Sequence, residues 1–370
     1  MRILLVSPYD LTSPGGVTSH VFDAAAAFRK RGHPTTLVGP CGDGALPPDA
    51  WTHLMGGTMR LPSPGDEAWV NLNPFIVRDV RSFLLRNEFD VVHIHEPFVP
   101  FLGPSFLRLS SAVKVGTFHS WRKGVHLPYL LGWPLIRYWN RRLSGRIAVS
   151  EVSKQTIAPY APGDYRIIPN GVNVRRFACP EPPPAHLADG RPTILFVGRI
   201  EARKGLPFLL EAYRSVKKAI PSARLVIVGE GGLRRKFQAL AANMALRDVL
   251  FEGHVAPALL AGYYQRADVF CSPSTVNEAF GITLLEAMAS GTPTIGTLIN
   301  ASTIGEDGNT GLLVPPKDAT ALAGAICRVL EERGLAENLG AAALERAKTF
   351  DWEIVAGQLL DYYKEVGAPA

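Results

Sequence analysis

The stretch TILFVGRIEARKGLPFLLEAYRSVKKAIPSARLVIVGEG, residues 193–231, decides the fold class of this chain. It begins with a short apolar run, TILFVG, and ends with a second one, RLVIVGE. Between them lies an amphipathic helical pattern, GLPFLLEAYRSVKKAIP. Continuous apolar strands separated by amphipathic helices are typical of parallel sheets that helices cover on both faces. The stretch therefore predicts part of a parallel α/β sheet.

The same alternation runs through all 370 residues, a length that suits two domains. Earlier apolar runs are RILLVS, PTTLVG, VVHIHE, VKVGTF and GRIAVS; later ones are VLFEGHV, VFCSP and TPTIGT. The pattern restarts after a proline-rich segment, CPEPPPAHLADGRP. We therefore expect two doubly wound, Rossmann-like α/β domains at residues 1–172 and 190–350, with a linker at 173–189. The helix at 351–370 would cover the second domain or cross back over the first.

The composition indicates a globular protein of a reducing compartment. Hydrophobic residues make up 47% of the chain and charged residues 19%. The four cysteines are scattered, which disfavours a disulfide framework or a zinc cluster. The N-terminal MRILLVSPYD fits a buried first strand better than a signal peptide, and no apolar run reaches eighteen residues. We expect a cytoplasmic protein, either soluble or peripheral on the cytoplasmic face of the membrane.

A basic stretch indicates an anionic partner. Residues 97–150 hold eight basic side chains and no acidic one. Its segment 121–146 mixes aromatic and basic side chains, which suits the headgroup layer of an anionic membrane. The side chains concerned are Trp121, Arg122, Lys123, Tyr129, Trp133, Arg137, Tyr138, Trp139, Arg141, Arg142 and Arg146. Packing of the aromatic residues against the neighbouring domain is the alternative. Nucleic acid is not an expected partner.

The first predicted strand leads into a glycine pair, Gly15-Gly16, directly before a helix. Glycines let a ligand approach the backbone closely, and free N–H groups at a helix start favour an anion. A glycine turn without a ligand is the alternative. The dinucleotide fingerprint Gly-x-Gly-x-x-Gly is absent, and Asp43 lies beyond a proline and a glycine after the second strand. A nicotinamide enzyme is therefore not supported.

Histidines follow the next two strands. His93 and His95 alternate along VVHIHE, with Glu96 at the strand end, and so point to the same face. A metal pair there is conceivable, but the spacing matches no standard zinc cluster, and we expect no metal site. His119 ends the following strand, ahead of Arg122 and Lys123. These cations favour a functional role for His119 over a structural one.

Two cations directly follow strand TILFVG. Arg199 and Lys204 suit a diphosphate and would stabilise the negative charge that grows on a departing nucleoside diphosphate. Ordinary surface charges are the alternative.

Two glutamates frame the apolar stretch TVNEAFGITLLEAMASGTP (275–293). We expect a helix from near Phe280 to Gly291, which places Glu278 at the loop tip and Glu286 up to two turns further on. Carboxylates accept hydrogen bonds from vicinal hydroxyls, so Glu286 would bind a ribose and Glu278 a sugar. Glu286 as an ordinary exposed helix residue is the alternative.

Together these motifs resemble a known family. Gly15-Gly16, His119, PNGVN (169–173), GRIEARKG (198–205), VGEG (228–231) and the Glu-x7-Glu segment resemble the retaining group 1 glycosyltransferases of the GT-B fold, whose two Rossmann-like domains face each other across a cleft. Within that group, SPYDLTSPGGVTSHV, VVHIHEP, TFHS, EAFGITLLEAMASGTP and FDWEIVA look like the bacterial phosphatidylinositol α-mannosyltransferases.

The resemblance implies roles for individual residues. His119, Arg199, Lys204 and Glu278 would be catalytic. The donor nucleotide sugar would be bound by Gly15, Gly16, Arg199, Lys204, Val255, Glu278, Phe280, Gly281, Ile282 and Glu286. The acceptor would lie near Tyr9, Asp10 and Lys123.

The implied reaction moves mannose from GDP-mannose to an anionic lipid such as phosphatidylinositol, with retention of configuration. The sequence has no Asp-x-Asp triplet, so we expect Arg199 and Lys204 to balance the diphosphate, with no metal or other cofactor required. The sequence shows no obvious carboxylate nucleophile beside His119, and the resemblance implies a front-face mechanism. The alternatives are a UDP-sugar transferase (glucose or N-acetylglucosamine) with a soluble or lipid-linked acceptor, a nucleotide-sugar-binding protein without turnover, and a non-hydrolysing epimerase.

Overall fold

A computed structural model describes residues 1–13, 15–42, 51–63, 66–120, 127–276, 278–305 and 307–369. The chain forms two compact units. Unit 1 comprises Met1–Gly171 together with Trp352–Ala370, and unit 2 comprises Val172–Asp351. Residues 173–189, where the sequence analysis placed a linker, therefore belong to unit 2.

Each unit is built on a parallel sheet, as the sequence predicts. The strands are β1 (Ile3–Val6), β2 (Thr35–Cys41), β3 (Thr52–Gly57), β4 (Met59–Ser63), β5 (Asp66–Val70), β6 (Val91–His95), β7 (Val113–Phe118), β8 (Gly145–Ala148), β9 (Arg166–Ile167), β10 (Thr193–Val197), β11 (Arg224–Val228), β12 (Val249–Gly253), β13 (Val269–Ser272), β14 (Thr294–Thr297) and β15 (Leu312–Val314). The order is β3-β2-β1-β6-β7-β8-β9 in unit 1 and β12-β11-β10-β13-β14-β15 in unit 2. Strands β4 and β5 form a separate antiparallel pair.

Helices cover both faces of the unit 1 sheet. The helices of the chain are α1 (Gly16–Lys30), α2 (Ile76–Arg86), α3 (Leu102–Leu109), α4 (Leu127–Leu131), α5 (Trp133–Asn140), α6 (Glu151–Ile157), α7 (Val174–Ala178), α8 (Leu206–Ala219), α9 (Arg234–Asn243), α10 (Pro257–Arg266), α11 (Ile282–Ala289), α12 (Ala301–Ile304), α13 (Ala319–Glu331), α14 (Arg333–Lys348) and α15 (Trp352–Glu365), with 3₁₀ turns at Ala185–Leu187, Ala202–Lys204 and Leu298–Asn300. Side chains of α1 and α15 pack on one face of the unit 1 sheet, and those of α2 and α3 on the other. The final helix α15 is thus part of the unit 1 core.

The sequence analysis missed five strands: β3, β4, β5, β9 and β15. Strands β9 and β15 have only two and three residues, and β3 lies mostly exposed, with one fully buried position. Such strands bury too little apolar surface to leave a continuous apolar run in the sequence.

The strand order places the loops that carry the predicted site residues. In unit 1 the order changes direction between β1 and β6, and in unit 2 between β10 and β13. Ligands of doubly wound sheets bind outside the carboxyl ends of the strands at such a switch point. The loops after β1 and β6 and those after β10 and β13 lead out of these four strands.

Candidate functional site

In unit 2, the loop after β10 lies against the loop after β13. Gly205 has φ +71°, and a Cβ there would lie 1.8 Å from the backbone oxygen of Pro273. Only glycine permits this approach. The backbone N–H of Thr275 donates to the carbonyl of Arg203 at 2.8 Å, and the Thr275 hydroxyl donates to the same oxygen at 3.1 Å. The two loops are thereby held together.

This contact brings two predicted catalytic residues into an ion pair. Lys204 Nζ lies 2.5 Å from Glu278 Oε2. Ser274 Oγ donates to the same carboxylate at 3.2 Å, and Arg203 Nη1 lies 3.7 Å from it. Burial raises the pKa of Glu278, but Lys204 and Arg203 outweigh burial and lower it below its usual value. The carboxylate is therefore ionised at neutral pH and holds the ammonium in place.

Arg199 belongs to the same loop network through Glu201. Arg199 Nε lies 2.9 Å from Glu201 Oε1, and Arg203 Nε lies 3.0 Å from Oε2 of the same carboxylate. The side chain of Glu201 is 8% exposed and that of Arg199 is 41% exposed. The guanidinium of Arg199 therefore reaches solvent from a buried carboxylate anchor.

Helix α11 begins later than the sequence predicts. Gly281, with φ +83°, precedes the first helical residue, Ile282, whereas the expected start was near Phe280. Phe280 is buried instead, its ring 5.5 Å from that of Phe350, and its carbonyl accepts a hydrogen bond from the Thr303 hydroxyl. Its side chain packs in the core of unit 2, so any ligand contact at this position falls to the backbone that follows.

Glu286 lies on α11, half-buried, with Tyr264 of α10 as its partner. The Tyr264 hydroxyl donates to Glu286 Oε2 at 2.8 Å, and the Tyr264 side chain is fully buried. Glu286 is thus not the ordinary exposed helix residue of the alternative interpretation. Val255 follows β12 and precedes α10, and it is half-buried.

In unit 1, Tyr9 and Asp10 follow β1. Tyr9 pairs with Val70 in an isolated antiparallel bridge. Asp10 is 5% exposed and accepts hydrogen bonds from the Thr12 hydroxyl at 2.6 Å and the Gly42 N–H at 3.0 Å. Burial alone would raise the pKa of Asp10. The hydrogen bonds to its carboxylate together lower the pKa by more than burial raises it, so the net shift is downward. The Asp10 carboxylate therefore fixes the loop after β1.

The glycine pair is placed at the start of α1, as predicted. Gly15 precedes the helix with φ −171°, which is extended backbone open to any residue, and Gly16 is the first helical residue. A Cβ at Gly15 would meet only the Thr18 hydroxyl oxygen at 3.7 Å. Among the described residues, a side chain at position 15 therefore meets no close contact, and the ligand role of the glycine pair stays a prediction. Lys123, the third predicted acceptor residue, lies outside the described residues.

The strand-end histidines of unit 1 form a buried cluster. His95 Nδ1 and His119 Nε2 are hydrogen-bonded at 2.9 Å. His93 bonds through Nδ1 to the Tyr363 hydroxyl and through Nε2 to the Thr117 hydroxyl, each at 2.6 Å. His20 of α1 packs edge-on against His119 at 5.0 Å between ring centroids. The cluster therefore includes a histidine that the sequence analysis did not consider.

Burial keeps these rings neutral. It lowers the pKa of His119 and of His93 to about 3 each, and it lowers the pKa values of His20 and His95 well below the usual range. Beside these rings, Glu96 Oε1 accepts hydrogen bonds from the backbone N–H of His119 and from the Ser120 hydroxyl, both at 2.8 Å. Burial raises the pKa of Glu96. At neutral pH, His119 is a neutral hydrogen-bonding group.

The basic aromatic segment presents part of its side chains to solvent. Leu131, Leu135, Tyr138 and Trp133 are 74%, 58%, 46% and 42% exposed. The Arg142 guanidinium lies over the Tyr138 ring, 3.9 Å from its centroid.

Two other members of the segment turn inward, contrary to the sequence-based interpretation. Arg146 donates to the side-chain and backbone oxygens of Asn140, both at 2.6 Å. Tyr129 packs edge-on against Tyr160 at 5.6 Å. These contacts explain why only part of the segment is a candidate membrane surface; Trp121, Arg122 and Lys123 lie outside the described residues.

Comparisons with known families identify the class of protein. Residues 14–176 match the profile of Glycosyltransferase Family 4, and residues 181–346 match that of Glycosyl transferases group 1. The chain is 35% identical to the phosphatidyl-myo-inositol mannosyltransferase of Mycobacterium leprae and 37% identical to that of Mycobacterium tuberculosis. Each alignment covers 99% of this chain and 97% of the relative. This chain belongs to the group 1 glycosyltransferases.

Solved structures share the fold along the whole chain. The sucrose-phosphate synthase of Thermosynechococcus elongatus matches with a TM-score of 0.79 at 23% identity, covering 100% of both chains. Anabaena HepE in complex with UDP and glucose matches with a TM-score of 0.78 at 17% identity, covering 99% of this chain and 100% of that one. The predicted GT-B class, with two Rossmann-like domains, is confirmed. Among the described residues, the helices all fall short of the length and apolarity needed to cross a bilayer.

Sequence reasoning missed four side chains of these sites: Glu201, Arg203, Tyr264 and His20. Glu201 and Arg203 lie within GRIEARKG, between the two cations that were selected, so their position was available as a signal. His20 is a polar residue on the apolar face of α1, which was also visible. Nothing in the sequence links Tyr264 to Glu286, because the two residues are 22 positions apart and meet only through helix packing.

Proposed function

We propose that this protein transfers mannose from GDP-mannose to phosphatidylinositol or a similar anionic lipid, with retention of anomeric configuration and without a divalent metal ion. Full-length similarity to phosphatidyl-myo-inositol mannosyltransferases supports the sugar and the acceptor. The observation that carries the donor site is the Lys204–Glu278 pair at the switch point of the unit 2 sheet. It fixes a cation and a sugar-binding carboxylate side by side.

Unit 2 residues would bind the donor. Lys204 and Arg199 balance the diphosphate, and the ammonium stabilises the charge that develops on the departing GDP. The Glu278 carboxylate accepts hydrogen bonds from the hexose hydroxyls, and the backbone N–H groups at Gly281 and Ile282 donate hydrogen bonds to the hexose. Farther along α11, Glu286 accepts from the ribose hydroxyls.

The base and the acceptor involve other parts of the chain. The backbone near Val255 would meet the nucleobase. In unit 1, Tyr9 and Asp10 lie on the acceptor side, Gly15 and Gly16 allow a phosphate to approach, and neutral His119 contacts the reacting sugar. Lys123 is retained as a proposed acceptor residue.

The transfer step follows the front-face mechanism that the family resemblance implies. Glu96, the carboxylate beside His119, is not assigned as a nucleophile, because it is buried and accepts hydrogen bonds from the His119 backbone N–H and the Ser120 hydroxyl. The bond between C1 of the sugar and the diphosphate oxygen breaks, and a bond from C1 to the acceptor oxygen forms on the same face. The proton of the acceptor hydroxyl passes to the departing phosphate oxygen. The exposed aromatic and basic side chains between Tyr129 and Arg142 would hold the protein at an anionic membrane that contains the acceptor.

A donor panel tests this proposal. Purified protein in excess EDTA is mixed with phosphatidylinositol vesicles and isotope-labelled GDP-mannose or UDP-glucose, and the lipids are analysed by mass spectrometry. We expect a monomannosylated lipid from GDP-mannose, with the α configuration by NMR. Transfer from UDP-glucose alone would instead establish the UDP-sugar alternative, and activity that requires added Mg²⁺ would refute metal independence.

A further inference from the structure

Three histidine rings of unit 1 meet at the carboxyl end of the parallel sheet. His20 lies on α1, His95 ends β6, and His119 follows β7. Each ring offers one nitrogen, and these three nitrogens lie within 4.8 Å of one another. The residues are 5%, 0% and 9% exposed. Three imidazoles from three separate elements thus converge in a space that is almost closed to solvent.

Two nitrogens of this cluster have no hydrogen-bond partner among the described residues. They are His20 Nδ1 and His95 Nε2, and both are buried. An unsatisfied buried nitrogen costs about 1–3 kcal/mol, so a pair of them indicates a ligand that completes the site. His93 is outside this group, and its ring nitrogens are held by Tyr363 and Thr117. The pair His93 and His95 that the sequence suggested is therefore replaced by His20, His95 and His119. On binding an ion, the cluster would exchange the hydrogen bond between His95 and His119 for metal ligation.

We propose that His20, His95 and His119 bind a transition-metal ion of the Zn²⁺ class and that the bound ion inhibits the enzyme by holding His119. The inhibitory effect rests on the proposed function, whereas the binding does not. Neutral imidazoles suit Zn²⁺, Ni²⁺ and Cu²⁺, and Mg²⁺ or Ca²⁺ would require oxygen ligands. The nearby carboxylate of Glu96 is not one of the proposed ligands. It accepts hydrogen bonds from the backbone N–H of His119 and from the Ser120 hydroxyl.

The geometry requires only a small adjustment. Zinc binds histidine nitrogen at about 2.1 Å, which separates tetrahedral ligand nitrogens by about 3.4 Å. The three ligand nitrogens lie up to 4.8 Å apart. Ring rotations that move each nitrogen by roughly an ångström would bring them to the separation that a tetrahedral zinc site needs. Three histidines leave a fourth position for water, as in other three-histidine zinc sites.

Calorimetric titration of chelator-treated protein with ZnCl₂ tests the binding. His20→Phe keeps an aromatic ring against His119 and Trp352, from which the His20 ring lies 5.0 Å away in each case, and removes the ligand nitrogen. His254→Phe changes an exposed histidine of unit 2 and serves as the matched control. We expect one tight zinc ion per wild-type chain, at least about 100-fold weaker binding by His20→Phe, and unchanged binding by the control. Equal affinity in all three proteins, or no tight binding, would overturn the site.

X-ray absorption of zinc-loaded wild-type protein tests the ligands without a mutation. We expect three imidazole ligands and no sulfur. A sulfur ligand, such as the exposed Cys179 thiol, would also overturn the proposal.

The effect on activity is measured as the ratio of the zinc-loaded to the chelated rate for each protein. We expect zinc to suppress wild-type transfer at least tenfold and to leave the ratio for His20→Phe near one. Full wild-type activity with the site loaded would overturn the inhibitory role. Zinc binding by a protein that transfers no sugar in EDTA would instead refute the proposed function and leave the metal site standing.

Discussion

The two units shift the pKa of a glutamate in opposite directions. In unit 2, Glu278 faces Lys204 and Arg203, and these cations lower its pKa. In unit 1, Glu96 accepts hydrogen bonds from the backbone N–H of His119 and from Ser120, and burial raises its pKa. Neighbouring cations therefore favour the ionised form of Glu278, whereas burial favours the protonated form of Glu96.

The difference matches the ligands that each unit is proposed to receive. A diphosphate needs cations held in position before it arrives, which is what the loop after β10 provides. In unit 1 the proposed contact to the reacting sugar is a hydrogen-bonding group without net charge, the neutral His119. The charged Lys204–Glu278 pair of unit 2 and the surface of unit 1 can be tested separately.

The largest expected effect comes from the charged site. Lys204→Ala removes the ammonium that meets the leaving group, and we expect kcat to fall at least 100-fold, about 3 kcal/mol. Lys217→Ala is the matched control, because Lys217 also pairs with a carboxylate, Asp248, at 2.5 Å and is similarly buried. Steady-state kinetics of both variants, with melting curves to verify folding, would reject the role of Lys204 if the two lost turnover equally.

The same pair should affect stability in a pH-dependent manner. Because the pKa of folded Glu278 is lowered, its contribution to stability is present above the usual value of 4.5 and is lost as the pH falls below it. We expect Glu278→Gln to reduce the free energy of unfolding by about 2 kcal/mol at pH 7 and by less as the pH drops. Urea unfolding of both proteins between pH 7 and pH 3 measures this. A difference in unfolding free energy between wild type and Glu278→Gln that stays constant from pH 7 to pH 3 would contradict a stabilising ion pair.

The surface of unit 1 provides a third test. Arg141→Glu together with Arg142→Glu should weaken binding to vesicles of anionic lipid by about 2 kcal/mol, or roughly 30-fold, since each basic residue near such a surface contributes about 1 kcal/mol. Arg235→Glu with Lys236→Glu makes the same charge change on two exposed residues of α9 in unit 2. Vesicle sedimentation that shows equal losses for the two pairs would assign the effect to net charge and refute the membrane surface.

The smallest effect concerns the ribose. Tyr264→Phe removes the hydroxyl that orients Glu286, and we expect the Kd for GDP to rise about fivefold, close to the 1 kcal/mol of a typical hydrogen bond. Tyr263→Phe is the control, because the Tyr263 hydroxyl bonds to Glu252 at 3.1 Å instead.

Binding of 3′-deoxy-GDP separates orientation from general damage. If Glu286 binds the 3′-hydroxyl, Tyr264→Phe should leave the affinity for this nucleotide nearly unchanged. An equal loss for both nucleotides would mean that Tyr264 acts only through packing.

Much of the fold follows from local sequence signals. Buried strands such as TILFVG appear as continuous apolar runs because both faces of a parallel strand are covered. Strand β3 lacks this signal because it is mostly exposed, and the β4–β5 pair is antiparallel and lies outside the two parallel sheets. Helix α11 begins at Ile282 rather than near Phe280, because the left-handed Gly281 ends the loop. The location of α15 in unit 1 depends on packing that spans nearly the full chain.

The sequence supplies candidate site residues but not their contacts. Arg199 and Lys204 are candidates because they follow a strand, and Glu278 because it lies at a loop tip before a helix. The direct Lys204–Glu278 pair depends on the close approach at Gly205, a tertiary contact between segments 74 residues apart. For the same reason His20 and His95 were not expected to meet, because only the folding of α1 against β6 brings them together.

The central claim is that fixed side-chain cations of unit 2 bind the donor diphosphate. A crystal structure of the protein with GDP-mannose, prepared in EDTA, tests it most directly. The account predicts diphosphate oxygens within hydrogen-bonding distance of the Arg199 guanidinium and the Lys204 ammonium, with Glu278 turned to the sugar. A diphosphate bound elsewhere, with Lys204 still held by Glu278 alone, would contradict it.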